Sequence, residues 1–465
     1  MIERIARMSD VSNERYDLTQ GRIFDRLIAV ALPIIGTQLV LMSYNLVDMF
    51  LLGRVGSEAV AAAGMAGMYM WLSNGVLLIG RMGAEIGVAQ NLGGHDEEAA
   101  RKFSSNSIFL AVSTGMAFAV ACRAFSSSLI GFFNIKEAHV ARSAVNYLSI
   151  VSLGMPLTFV SAAAAGTFNG SGNSRVPFLI NSAGLVLNAA LDPIFIFSLG
   201  LGVEGAAVAT VIAQAAGCSM SLLALKKKKD RPFERYIFFM KPELRYITRI
   251  LRWSVPIAIE SMLFTFFTLV VSRIVAGFGA GAIAVYRVGT YIESLCWLTC
   301  IGVSTAVTAF VGQNYGARKW ERIGGCCRIS LAASCSWGAF VMVLFLTAGG
   351  HLFRFFLPDP VLIDEGRSFM RIIAICQVFG CLEAVSSGVF RGFGRTLPPS
   401  VVSVVCNALR IPISYALSMS SLGINGIWLG VTITASLRGA WVFVWFLLDI
   451  VSRLRGSGRK SASDG

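Results

Sequence analysis

Read for the alternation of apolar and polar stretches, the chain breaks into twelve long apolar runs separated by short, charged ones. They fall near residues 24–52, 58–83, 103–124, 139–165, 176–199, 204–225, 248–276, 281–308, 326–348, 365–389, 397–420 and 424–449. A helix needs about 20 residues to cross ~30 Å of hydrocarbon, and each run is long enough. Many are rich in small residues, as in AVAAAGMAGM from Ala59 to Met68, which lets helices approach closely in lipid. The pattern predicts an all-α integral membrane protein.

Composition agrees: 55% of residues are hydrophobic and 14% charged, against about 25% charged in soluble domains. Met1 to Arg26 is charged and mixed, so no cleavable signal is expected and the first span is retained. The ten cysteines lie in or beside spans and have no spacing typical of a zinc or disulfide framework, so they read as small buried apolar residues. His95, His139 and His351 sit near span ends and read as interfacial.

The basic residues set an orientation. Lys226 to Arg252 holds ten Lys or Arg against three acids, half of the formal net charge of +14. Short loops with such an excess face the cytoplasm. Arg101, Lys102, Arg175, Arg318, Lys319, Arg322, Arg391, Arg395 and the tail residues Arg453, Arg455, Arg459 and Lys460 follow the same rule, which makes both termini cytoplasmic and the protein a multi-pass protein of the cell membrane. Because the positive charge is confined to membrane-flanking loops, anionic lipid headgroups are its expected partner rather than nucleic acid.

The second half echoes the first. Gln90 in VAQNLGG is matched 223 residues on by Gln313 in VGQNYGA, and Pro33 at the same distance by Pro256. VGSEAVAA from Val55 resembles FGAGAIAV from Phe278, and GTFNGSGNSRVP from Gly166 resembles GVFRGFGRTLPP from Gly388. The expected organisation is an amino-terminal six-helix lobe (1–225), a basic cytoplasmic linker (226–247), a carboxy-terminal six-helix lobe (248–450) and a cytoplasmic tail (451–465). An even number of spans per half makes this a parallel repeat, an architecture of secondary transporters. The sequence contains no G-x-x-x-x-G-K-[ST] phosphate loop, no appended soluble domain and no clustered catalytic set, so an enzyme is not expected and any pumping would draw on an ion gradient.

The candidate chemistry is buried charge. A carboxylate at mid-bilayer costs at least ~2.5–3.5 kcal/mol, and such residues mark ion or substrate paths. Asp48 lies within the first span and Asp192 within the fifth, in NAALDPIFIF. Asn188 and Asp192 are four apart and share a helical face, and Pro193, lacking an N–H, leaves the Ala189 carbonyl without its helical donor. Thr210 in the sixth span adds a hydroxyl. Should Asp48 and Asp192 converge, both charges cannot persist unaided, and a proton or sodium ion must neutralise them. The competing reading is a static network or a salt bridge to Arg54 or Arg81. In the second half, NALRIPISY from Asn407 keeps the asparagine and proline, but Ile411 replaces the acid and Arg410 precedes it. Glu260, four residues after Pro256, is the best acid of the seventh span. Together with Glu293 and Glu383, and with Arg273, Arg287, Arg371, Arg410 and Arg438 as partners, it reads mainly as part of internal ion pairs. Pro33 and Pro256 are candidate hinges.

These features together resemble the multidrug and toxic compound extrusion (MATE) family. The likeness rests on LPIIGTQLV and YNLVDMFLLGRVGSEAVAAAG, the AQNLGG and VGQNYGA pair, the two glycine-rich segments after spans four and ten, and NAALDPIFIFSLGLGVEGAAVAT, and it covers roughly Gly21 to Ile450. The resemblance implies a V-shaped pair of six-helix bundles exporting drugs or other organic cations in exchange for sodium or protons, without a cofactor and as a monomer. It also implies an amino-lobe site at Asp48, Asn188, Asp192 and Thr210, which would hold Na+ in a sodium-coupled member, and a bending proline at Pro33. In a branch that relies on carboxylates of spans seven and ten, the pattern departs here: Glu260 lies earlier on its helix and Glu383 nearer its loop. Two alternatives stand beside efflux. One is a lipid-linked glycan flippase, whose cavity arginines would meet a pyrophosphate; the other is a non-transporting receptor.

Overall fold

A computed structural model describes residues 16–134, 137–227, 232–234, 236 and 241–463. Much of the basic run, including Lys228, Lys229, Arg231 and Arg235, lies outside the described residues, as do Met1–Arg15. Every element is helical among the described residues. The first half comprises α1 (Ile23–Val55), α2 (Ser57–Gly93), α3 (Glu97–Ala124), a one-turn α4 (Ser126–Gly131), α5 (Ala138–Ser152), α6 (Met155–Gly170), α7 (Arg175–Pro193), a π-helical turn over Ile194–Ser198, and α8 (Gly202–Lys226). The second half comprises α9 (Leu244–Ala276), α10 (Ala280–Gly316), α11 (Trp320–Arg354), α12 (Pro360–Ala374), α13 (Cys376–Gly392), α14 (Leu397–Ser418) and α15 (Ile424–Ser463).

Ten of these helices are long and apolar enough to cross a membrane singly. The fourth and tenth spans are bent pairs, α5 with α6 at 44° and α12 with α13 at 45°. The bend falls in the corresponding span of each half, as expected of a duplicated fold. The twelve apolar runs thus become twelve spans.

The helices overrun several runs. α2 continues to Gly93 and α10 to Gly316, so AQNLGG and VGQNYGA form helix ends rather than loops. Their amides explain why. Asn91 Nδ2 donates to the Gly87 carbonyl at 2.7 Å, and Asn314 Nδ2 to that of Phe310 at 2.8 Å. Asn314 also accepts from Arg322 Nε at 3.2 Å. The next helix starts where the chain can cap it: Asp96 accepts the Ala99 amide at 2.9 Å, and Glu97 and Glu98 occupy the positive end of α3. The glycine-rich turns after α6 and α13 require positive φ at Gly172 (+89°) and Gly394 (+71°), and a Cβ on Gly172 would lie 2.5 Å from the Tyr16 carbonyl oxygen.

The described chain divides into two compact units. One takes residues up to Gln20 and Ala29–Ala258; the other takes Gly21–Ile28 and the chain from Ile259 onward. The chain passes between them at Gln20–Gly21 and then within α1 and α9, the two helices that contain Pro33 and Pro256. The first unit has a core of small residues such as Ala62, Ala66, Ala163 and Ala207 around Phe159, while the second packs Phe353, Phe369 and Trp428. Large apolar side chains such as Leu32, Trp71, Val186 and Leu448 remain exposed, as a lipid-facing surface requires.

Two linker residues dock into the first unit. Phe233 and Tyr236 are buried and stack at 5.8 Å between ring centroids. The Tyr236 hydroxyl lies 3.0 Å from Ser104 Oγ, which is 2.7 Å from Thr167 Oγ1. The start of α9 packs there too, with Trp253 stacked on Phe103 at 5.4 Å.

Candidate functional site

The site assembles where α7 ends. Pro193 closes α7, and the chain continues as a π turn, a feature that commonly marks functional positions. α8 then begins against this turn because Gly205 has no side chain. A Cβ there would stand 2.5 Å from the Phe195 carbonyl oxygen. This close approach sets Thr210 beside the last turn of α7.

Four predicted residues come together in the first unit. Asn188, Asp192 and Thr210 are buried, at 0%, 0% and 2% exposure, and Asp48 on α1 is half-buried. Asn188 Nδ2 donates to Asp192 Oδ1 at 3.1 Å, the contact their four-residue spacing predicts. The Asp48 and Asp192 carboxyls interact directly. Neither has a basic partner among the described residues: Arg54 lies over the Phe50 ring at 4.7 Å, and Arg81 Nε is 3.9 Å from Glu85. The alternative of a salt bridge to either arginine is therefore not what the structure contains.

Two tyrosines complete the surroundings. Tyr44 stands one turn before Asp48, and its phenol approaches Thr210 without closing a well-formed hydrogen bond; Tyr147 on α5 is buried beside both aspartates. The spacing of Tyr44 and Asp48 in YNLVD was the available signal for the first. Tyr147 had none, since it lies on a separate helix.

The donor set has a definite character. Tyr44 Oη, Asp48 Oδ1, Asn188 Oδ1, Asp192 Oδ2 and Thr210 Oγ1 are all buried without a hydrogen-bond partner among the described residues. An unsatisfied buried polar atom is costly, and five in one place, two from facing carboxyls, call for a positive occupant. Hard oxygen donors suit a small hard cation, and a proton shared between the carboxyls would meet part of the same need.

The second unit is built differently. Glu260 accepts from Ser400 Oγ at 2.7 Å, and Arg438 Nε donates to Glu383 at 2.8 Å. Arg438 also reaches Asn407 at 3.4 Å, Arg410 Nε donates to Thr434 Oγ1 at 3.2 Å, and Gln377 lies 3.5 Å from Glu293. Glu383 lies in the second, α13 part of the bent tenth span, nine residues before its end at Gly392. Of the candidate acids and arginines, Glu383 and Arg438 form the ion pair that the sequence reading anticipates, while Glu260, Glu293 and Arg410 contact neutral side chains. A cavity of about 440 Å³ opens between Val285, Asp364, Glu365 and Trp428 and contains none of the predicted residues.

A duplicated bundle of twelve spans with a carboxylate pair enclosed in its first half defines a membrane transporter. The MatE family model matches twice, over residues 33–194 and 256–416, beginning at the two prolines that mark the repeat, and the chain belongs to this family. It is 29% identical over 427 residues to the probable multidrug resistance protein NorM of Thermotoga maritima, covering 90% of this chain and 91% of that one. With the probable multidrug resistance protein YoeA of Bacillus subtilis it shares 26% identity, over 86% and 89% of the two chains. Among solved structures, a MATE in the bent conformation superposes with a TM-score of 0.89 at 21% identity, over 95% and 98% of the chains. A MOP superfamily transporter from Pyrococcus furiosus gives 0.87 at 21%, with the same coverage. These structures establish the twelve-helix fold.

Proposed function

We propose that the protein is a secondary active multidrug efflux transporter of the cytoplasmic membrane, exporting organic cations and lipophilic drugs by antiport with Na+ or H+ through Asp48, Asn188, Asp192 and Thr210. The observation that carries this reading is the set of five unpartnered oxygens with no basic side chain beside them among the described residues. Two carboxyls held together in low dielectric repel unless a cation or proton lies between them, so an occupant can leave only when another replaces it. That exclusivity is what exchange requires. Tyr44 and Tyr147 present phenol oxygens and aromatic faces to the same space and join the four as positioning groups. The relatives' description as multidrug resistance proteins supports the substrate class. Arg438 and Arg410, engaged with Glu383 and Thr434, offer a flippase's pyrophosphate little, which favours efflux. The basic loops support a cytoplasmic location for both termini.

The test uses purified protein in proteoliposomes loaded with a fluorescent organic cation. Asp192→Asn is expected to abolish gradient-driven efflux while its gel-filtration profile and melting temperature stay near wild type. Efflux unchanged in that variant refutes the role.

A further inference from the structure

The second unit holds a cluster of thiols outside the carboxylate site. Cys296 and Cys300 stand four apart on α10 and so share a face, and Cys381 reaches them from α13. Cys300 Sγ and Cys381 Sγ are 3.4 Å apart, and all three sulfurs lie within 4.8 Å of one another. Their exposures are 3%, 7% and 0%. α11 closes over the cluster at Gly338, where a Cβ would lie 3.1 Å from Cys381 Sγ. Packing alone asks only that small residues fill this space, and alanine would do so. Three sulfurs from two helices meeting at one point is a ligand set.

We propose that Cys296, Cys300 and Cys381 form a three-sulfur binding site for a soft monovalent cation of the Cu(I) class. With a metal–thiolate distance of about 2.3 Å, trigonal coordination needs sulfurs roughly 4.0 Å apart, so the Cys300–Cys381 pair at 3.4 Å opens slightly, and no separation within the 4.8 Å cluster changes by more than about 1 Å. The metal class follows from the donors. Thiolates select soft ions, and no carboxylate or imidazole joins the group among the described residues. Zinc takes a fourth ligand in nearly every structural site, and this set stops at three. Each sulfur that becomes a thiolate ligand releases its proton to solvent. The site is separate from the carboxylate pair and does not depend on the transport reading.

The full-length protein, reduced and solubilised in detergent under anaerobic conditions, is titrated with Cu(I) against the chromophoric chelator bicinchoninate. Wild type and Cys122→Ser, altered in the first unit, are each expected to hold one Cu(I). Cys300→Ser and Cys381→Ala are each expected to weaken that binding at least tenfold with an unchanged gel-filtration profile. X-ray absorption on the wild-type complex needs no variant and is expected to show three sulfur neighbours. Equal binding in the two variants, no binding by wild type in this competition, or a nitrogen and oxygen shell around the copper overturns the proposal.

Discussion

At the scale of residues, the two units answer buried charge in opposite ways. In the second, Glu383 and Arg438 pair at 2.8 Å with side-chain exposures of 16% and 11%. Removing one partner of such a pair strands the other, at roughly 3–5 kcal/mol. Glu383→Gln is therefore expected to lower the melting temperature clearly, and the double change Glu383→Gln with Arg438→Met to recover most of the loss in thermal unfolding. In the first unit the sign reverses: Asp192 has no cationic side chain to strand, so Asp192→Asn is expected to leave stability near wild type or raise it. Much of this was legible. Asn188 and Asp192 could be read as a pair from their spacing alone, Asp48 from a carboxylate inside an apolar span and Thr210 from a hydroxyl in the next one, with the family pattern naming the same four. Tyr147 was not legible, because an aromatic residue in an apolar run shows nothing of which helix will face it. The thiol cluster was not legible: the ten cysteines read as small buried apolar residues, and Cys381 lies 81 residues beyond Cys300.

At the scale of elements, periodicity and run length located the spans, since hydrocarbon thickness fixes the apolar stretch a helix must present. What they could not show was where a helix continues past the membrane, as α2 and α10 do, because that extension depends on amide contacts to its own backbone and neighbours. The π turn after Pro193 was likewise hidden, since a proline ends one hydrogen-bond pattern without naming the next. Its contact with α8 gives a test. Gly205→Val forces a side chain onto the Phe195 carbonyl, and overpacking of this kind costs about 1–3 kcal/mol. The expected outcome is a lower melting temperature together with weaker coupling-ion affinity, because the same displacement moves Thr210. Pro33 offers the opposite signature. If bending of α1 is part of the cycle, Pro33→Ala restores a helical hydrogen bond, raises thermal stability and slows efflux in proteoliposomes. A slower rate with unchanged stability would instead point to lost contacts.

At the scale of the whole molecule, the repeat was the most legible feature, because Pro33, Gln90, Gly166 and Val55 each recur at nearly one spacing and the family model matches at the same interval. The asymmetry between the halves was legible too, in the replacement of the carboxylate by Ile411 beside Arg410. This leads to a prediction about stoichiometry: one coupling site, confined to the first unit. Counterflow under separately imposed sodium and pH gradients is expected to respond to one of the two with a Hill coefficient near one. The second-unit variant Glu260→Gln should leave that ion dependence in place, and loss of it would relocate the coupling.

The docking of Phe233 and Tyr236 changes how the connection between the halves should be pictured. A tether anchored partway along does not lend its full contour length to whatever follows. Because Tyr236 is held by Ser104 and α9 packs in the first unit as far as Ala258, severing the backbone near Lys227 would leave the downstream fragment plugged into its socket. Two separately expressed pieces cut there should find each other through this socket, whereas pieces cut after Ala258 would keep only the short Gly21–Ile28 segment, which packs in the second unit, to reunite them.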